Sequence, residues 1–536
     1  MDTKADLFAW LRSGIIGERA TIPTPFGSRP LIYADYTASG RAFAPIEAFI
    51  QQRVLPFYAN THSESAYTGR QTHRFREQAR EQVRQAVNAG PEHAVIFCGS
   101  GATGAINRLI DCLGLRHAGP GSERPVVVVG PFEHHSNELP WRESAVDLRH
   151  VPLGADGGLD EAALDALLAT LEPGFFASFS AASNVTGVRC DTKRISALVH
   201  AAGGRVFWDY AAAGPYVAMD ASDKDALFLS PHKFLGGPGT PGVLVVRKDL
   251  LTGAVPAVPG GGTVSFVSPE GHRYLASLER REEGGTPPIV ETVRAGLAFA
   301  LKSRVGADVI EAREAGLLTR ARTALGAVPE LKLLGPASGD RLAILSFQVF
   351  HGDEPLHYGF VVALLNDLFG IQVRGGCSCA GPYAHHLLGI AKADSVRFDE
   401  AIAAGHAVLR PGWVRMNFNY FLDEETFAYL LEAVAFVARE GYRFLPAYRY
   451  CAAQGRWIHR GEGASQLSDL GDAFGDALAP PPPCTTALGT FLAKAEAELA
   501  ALHHGACGPC LEAPLPEALA PLRWFYLPQD PPRQGA

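Results

Sequence analysis

The chain has 536 residues, of which 47% are hydrophobic and 19% charged, a balance that buries a large core and excludes disorder over most of the length. Its 48 basic and 56 acidic residues leave a formal charge of −8, so no nucleic-acid partner is expected. At roughly 150 residues per domain the length allows about three or four domains.

The opening stretch Met1–Ala20 scatters acids and bases through short apolar pieces, unlike a secretory signal. No apolar run approaches the roughly 18 residues needed to cross a bilayer, so no membrane partner is expected. Nine cysteines are too few for a disulfide scaffold, which makes a reducing cytoplasm the expected location. No repeat stands out.

From about residue 90 to 250, short β-rich runs alternate with amphipathic helical patterns. Strands are predicted at Ala94–Ser100, Val126–Gly130, Phe175–Ser180, Arg205–Tyr210 and Gly242–Arg247, with helical stretches such as Leu159–Leu171 and Lys193–Ala202 between them. Such alternation predicts an α/β domain around a mostly parallel sheet, whose ligands bind beyond the carboxyl ends of its strands. A helical pattern at Val290–Arg304 leads into a smaller α+β unit with a strand at Ala343–Val349 and a helix at Glu424–Ala438. The four prolines Pro480–Pro483 form a stiff spacer, followed by helical spacing from Leu488 to Leu502. The expected division is an N-terminal segment of the small domain at 1–30, a large domain at 31–295, a small domain at 296–447 and an extension at 448–536 packed on the main body.

The sharpest local feature is SPHKFLGGPGTPG, where Lys233 follows the apolar run Ala226–Leu229 and precedes a glycine-rich loop. A lysine at a strand end, desolvated beside permissive glycines, suits a Schiff base with a ligand aldehyde. Asp209 closes the strand RVFWD, where it could pair with a protonated pyridine nitrogen. GSGATGAIN (Gly99–Asn107) follows a strand and opens a helix, so its backbone N–H groups, with the Ser100 and Thr103 hydroxyls, could cradle a phosphate. In EHHSN, His134 stands just past VVVVG, where an imidazole could stack on a ring.

The ordered set GSGATGAIN, EHHSN, SNVTG, WDYAAA, SPHK, EGGTP and RGGCSCAGP resembles the class V aminotransferase-fold enzymes that use pyridoxal 5'-phosphate, and within them the cysteine desulfurases and C–S lyases. The similarity covers about residues 30–440. It implies the fold type I architecture of the aspartate aminotransferase kind and a homodimer with active sites at the interface. Lys233 would be joined to the cofactor aldehyde and would shuttle protons, flanked by Ser230 and His232. Ser230, Ala102 and Thr103 would lie near the phosphate, Asp209 at the pyridine nitrogen, His134 on the ring and Asn184 near the cofactor oxygen or the substrate. Thr286 would reach the neighbouring subunit's phosphate, Arg415 would bind the substrate carboxylate, and Arg374 and His62 would approach the substrate.

Cys379 occupies the position of the family nucleophile, which would take sulfur from a cysteine-like amino acid as a persulfide and pass it to an acceptor protein or product. Arg374 is a candidate source of the positive charge that favours the thiolate. Two residues depart from the family pattern. Cys377 and Ser378 replace the histidine usual before the nucleophile, so Cys377 is an alternative nucleophile, or a partner that relays the persulfide or closes a disulfide. Ala212 stands where Gln or His usually contacts the ring hydroxyl, which favours a different β- or γ-substituted substrate. Two other readings therefore stay open: a C–S or sulfoxide lyase or other class V activity (epimerase, aminotransferase) not needing the thiol, and a non-catalytic sulfur-trafficking scaffold. The terminal ACGPC places Cys507 and Cys510 at redox-pair spacing without a surrounding βαβ pattern. It reads as a sulfur recycler, as half of a metal site with His503, His504 or Cys484, or as an inert turn, and no metal site is assigned.

Overall fold

A computed structural model describes residues 4–61, 65–117, 123–461, 467–474, 479–502 and 508–529. The central sheet holds seven strands: β1 (His93–Cys98), β2 (Val126–Val129), β3 (Asp147–His150), β4 (Phe176–Ser180), β5 (Arg205–Asp209), β6 (Ala226–Leu229) and β7 (Gly242–Arg247). Their order is β1-β7-β6-β5-β4-β2-β3. β7 runs antiparallel to both neighbours, and every other pair is parallel. The carboxyl ends of β1, β2, β4, β5 and β6 therefore share one edge.

The strands alternate between two apolar layers, as a period of two requires. Phe97, Phe179, Trp208, Leu229 and Val245 face one core. Ile96, Val129, Phe207, Phe228 and Leu244 face the other, against Ala105, Ile106 and Leu109 of helix α2 (Gly101–Cys112). On the first face lie α1 (Tyr67–Ala86) and α3 (Ile289–Val305), which contribute Val83 and Phe299. β3 reads DLRH at the sheet edge, with two residues exposed, so hydrophobic periodicity passes over it.

The second sheet runs β8 (Leu331–Leu333), β9 (Ile344–His351), β11 (Trp413–Asn417), β10 (Arg374–Gly376), all pairs antiparallel. Helices α4 (Ala307–Gly326), α5 (Tyr358–Phe369) and α7 (Glu424–Phe444) close its core through Leu317, Phe360, Leu364, Leu430 and Val434. A short helix α6 (Gly381–Leu388) follows β10 after a turn. The N-terminal segment serves both cores: Leu11 and Ile15 pack in the larger one, whereas Ile32 and Tyr33 pair with Ile371 and Gln372 beside the smaller.

Among the described residues the C-terminal extension has no separate core. Its hairpin Tyr448–Cys451/Arg456–His459 and helix α8 (Gly489–Ala501) place Trp457, Phe491 and Ala495 in the smaller domain's cluster. Buried polar anchors fix it: the Tyr448 hydroxyl donates to Asp367 at 2.8 Å, and the Trp457 indole N–H to His357 at 3.0 Å. The proline segment runs along the N-terminal arm, where Pro482 accepts from the Thr21 N–H and the Cys484 N–H donates to Arg19. Among the described residues no helix is long and apolar enough to cross a membrane.

Candidate active site

Lys233 is positioned by a tight turn, Pro231–Lys233, directly after β6, in which its N–H donates to Ser230 at 3.0 Å. Gly40 donates to the His232 carbonyl at 2.8 Å, and a Cβ at Gly40 would stand 1.9 Å from the Phe234 oxygen. Only glycine lets that strand-like segment press against the lysine turn. Asp209, 4% exposed, ends the neighbouring strand β5 and accepts from the Ala211 N–H at 2.7 Å. Burial pushes its carboxyl above the usual range, while Lys233 pulls it down. Lys233 is lowered to about 8, first by desolvation and then by Arg415 and Arg374, against the opposing pull of Asp209 and Asp35. An amine tuned this far keeps a neutral, nucleophilic fraction near physiological pH.

The N-terminus of α2 faces the same cleft. Gly101 has φ +55°, and a Cβ there would meet the Ser230 hydroxyl at 2.9 Å and His232 Cε1 at 2.8 Å. Ser230 accepts from the Ala102 N–H at 2.9 Å, and the Ser100 side chain makes no capping bond. Thr103 Oγ1 and Ser136 Oγ lie 2.6 Å apart, and Ser136 is 3.0 Å from His134 Nδ1, so the cradle is tied to the imidazole. His134 Nδ1 accepts from the Ser136 N–H, which assigns the ring proton to Nε2. Burial and the charge of Lys233 lower His134 to about 3, leaving a neutral, flat ring. Beneath it, Glu133 is buried and accepts from Asn137, from the Ser180 hydroxyl and from the Ser180 N–H. Burial raises it to about 7.

The opposite wall carries the arginines. Arg374 and Arg415 are directly opposed on β10 and β11, a like-charge pair that would repel. Asp35 resolves this by accepting from Arg415 Nη2 at 2.9 Å and from Arg374 Nε at 3.1 Å. Arg415, 3% exposed, also donates to the Asn184 carbonyl at 3.0 Å. Asp35 and Thr37 were not singled out from the sequence. The acid between two tyrosines in YADYT, directly after a strand, was the available signal. Their place at the site comes from Ala34, which donates to Gln372 and accepts from Asn417.

These groups enclose a cleft of about 190 Å³. Of the predicted residues, Ala102, Thr103, His134, Asn184, Asp209, Ser230, His232, Lys233, Arg374 and Arg415 line it. Thr286 does not: it is exposed, and its hydroxyl accepts from Asn60 at 3.2 Å. Ala212 is buried in the larger core and offers no polar group. His62 falls outside the described residues, as do His503, His504 and Cys507.

Neither cysteine of RGGCSCAGP lines the cleft; Ser378 between them does. Cys377 to Ala380 form a turn closed by the Ala380 N–H to the Cys377 carbonyl at 3.2 Å, with φ +53° at Ser378 and +56° at Cys379. Two further bonds pin it. Asn184 Nδ2 donates to the Ser378 carbonyl at 2.7 Å, and the His135 N–H donates to the Cys379 carbonyl at 2.8 Å. Cys379 is exposed, whereas Cys377 is half-buried against Trp413 and its neighbours.

The cleft fits an anionic, phosphate-bearing aldehyde cofactor with an amino-acid carboxylate beside it. The α2 cradle has no room for a side chain, and four buried polar atoms around the cleft have no hydrogen-bond partner among the described residues: Thr37 Oγ1, Asn184 Oδ1, Ser378 Oγ and Arg415 Nε. A polar ligand in the cleft would meet these donors and acceptors.

Residues 32–404 match the family described as aminotransferase class-V. A cysteine desulfurase of Dickeya dadantii is 32% identical over 362 residues, covering 66% of this chain and 84% of its own. A probable cysteine desulfurase of Mycobacterium leprae is 31% identical over 67% of this chain and 57% of its own. Among solved structures, an apo cysteine desulfurase from Thermococcus onnurineus superposes with a TM-score of 0.64 at 24% identity, covering 76% of this chain and 95% of that one. One from Escherichia coli gives 0.63 at 24%, covering 80% and 97%. The motif order, the shared cleft at the strand ends and these likenesses agree: the chain belongs to the class-V aminotransferase family, among relatives named cysteine desulfurases.

Proposed function

We propose that this protein removes sulfur from a cysteine-like amino acid with pyridoxal 5'-phosphate as cofactor, and that Cys379 receives the sulfur as a persulfide. The observation that carries this reading is the convergence of Lys233, Asp209 and His134 on one cleft with the α2 cradle and the Arg374–Asp35–Arg415 cluster. Lys233 would hold the cofactor aldehyde, with Asp209 at the ring nitrogen, His134 against the ring and Ser100–Thr103 with Ser230 and His232 around the phosphate. When bound, the cofactor supplies an electron sink for bond breaking at the substrate α-carbon. Arg415 orients the substrate carboxylate, and Lys233 moves a proton at the α-carbon. Asn184 holds the cysteine turn against the site through the Ser378 carbonyl.

Cys379 must leave its exposed position to reach substrate sulfur, and two left-handed non-glycine residues make the present turn costly enough to open, each by about 1–2 kcal/mol. A homodimer is part of the proposal, with Thr286 serving the neighbouring cleft. It is supported by exposed apolar side chains at Phe57, Tyr58, Val258, Phe266 and Val267. An acceptor protein in the cytoplasm would then take the sulfur.

The position of Ser378, rather than either cysteine, in the cleft wall favours a second reading, a C–S lyase that needs no protein thiol. The test is incubation of purified protein with a panel of sulfur-containing amino acids, following alanine, pyruvate and sulfide together. Cys379→Ala should abolish alanine formation from L-cysteine. Full turnover of a thioether to pyruvate without Cys377 or Cys379 establishes the lyase instead. Absorbance near the visible edge that survives Lys233→Ala rejects both.

A further inference from the structure

The cysteine turn holds a second thiol that sulfur acceptance by Cys379 does not use. Cys377 and Cys379 are positions one and three of a closed turn. Two Cα–Cα steps of about 3.8 Å bent through such a turn leave these Cα atoms roughly 5–6 Å apart. A disulfide needs about 4.4–6.8 Å. The turn is fixed from outside by Asn184 and His135, so Cys379 returns to the same place after each excursion. That place lies outside the cleft lining, two residues along the turn from Cys377. The neighbouring wall is apolar, built from Trp413, Tyr383 and Ala380.

We infer that Cys377 is a resolving thiol that discharges the persulfide formed on Cys379. The Cys377 thiol gives its proton to solvent, and the thiolate attacks the Cys379 sulfur. A Cys377–Cys379 bond forms, the bond between the two persulfide sulfurs breaks, and hydrosulfide leaves with its electron pair. Nothing is oxidised overall in this step, because the oxidation level of the persulfide passes to the disulfide. A dithiol reductant must then return both cysteines to thiols before the next turnover. This inference rests on the proposed desulfurase activity and adds to it that, when no acceptor protein takes the sulfur, its release as sulfide is internal and depends on a dithiol.

The test is a single-turnover reaction of the holoenzyme with L-cysteine, without reductant, read by intact mass, peptide mapping and sulfide assay. The wild-type chain should release about one equivalent of sulfide per protomer and carry the Cys377–Cys379 disulfide. Cys377→Ser and Cys377→Ala should instead retain one extra sulfur atom on Cys379 and release at least tenfold less sulfide. A wild-type chain that keeps the extra sulfur on Cys379 as fully as these variants overturns the inference and leaves the desulfurase reading standing. If no variant carries extra sulfur and the wild type forms no disulfide, both fail together.

Discussion

Arg415→Lys separates binding from chemistry. In the folded chain the Arg415 guanidinium spends one N–H on Asp35 and one on the Asn184 carbonyl, while its buried Nε has no partner among the described residues. Held from two sides, it presents a fixed fork toward the cleft, the geometry that a carboxylate meets with two parallel bonds. Lysine keeps the charge but cannot span Asp35, Asn184 and a ligand at once. At 3% exposure no water replaces the lost contact. One charge-assisted hydrogen bond is worth about 1.5–3 kcal/mol, so KM for an amino-acid substrate should rise roughly 10- to 150-fold. Because this bond forms equally in ground and transition states, kcat should stay within about threefold. Initial rates of alanine formation over a wide range of L-cysteine concentrations measure both. A KM within threefold of wild type would refute the assignment of Arg415, and a collapse of kcat alone would place it at the reacting atoms instead.

Gly101→Ala should lose cofactor, since a left-handed alanine costs about 1–2 kcal/mol and its Cβ would push the Ser230 hydroxyl from the Ala102 N–H; absorbance titration with added pyridoxal phosphate and a thermal melt check this, and unchanged retention counts against the cradle. Asp209→Asn removes the carboxylate that holds Lys233 up, so the pH midpoint for cofactor incorporation should fall below about 8; a rise would contradict the pairing. Glu133, raised to about 7 in the fold, keeps a proton that the unfolded chain releases above the ordinary carboxyl value of 4.5. Its contribution is present at low pH and is lost as pH rises through that window, on the order of 3 kcal/mol in full. Glu133→Gln should therefore flatten the fall in stability between pH 5 and pH 8 in denaturant titrations, with no change disproving the buried, protonated carboxyl.

The parts of the site carried by the central sheet were legible in the letters because each lies just after a strand. His134 follows β2, Asn184 follows β4, Asp209 ends β5 and Lys233 follows β6, so the run pattern and the rule of strand carboxyl ends suffice to bring them together. Local chemistry likewise announced the helix start at Gly101, since glycines and hydroxyls there have a backbone reason. Edge strand β3 escaped notice because an exposed strand carries no apolar run to recognise.

Only the tertiary structure decided how the other wall is held together. Asp35 meets Arg374 and Arg415 across separations of 339 and 380 residues, through strand pairings whose partners no local pattern names. It also decided that Ser378 faces the cleft while Cys379 does not, because that depends on two backbone angles in a single turn. Side-chain type follows from the sequence position by position, but the direction in which a turn points a side chain is set by what the rest of the chain packs against it.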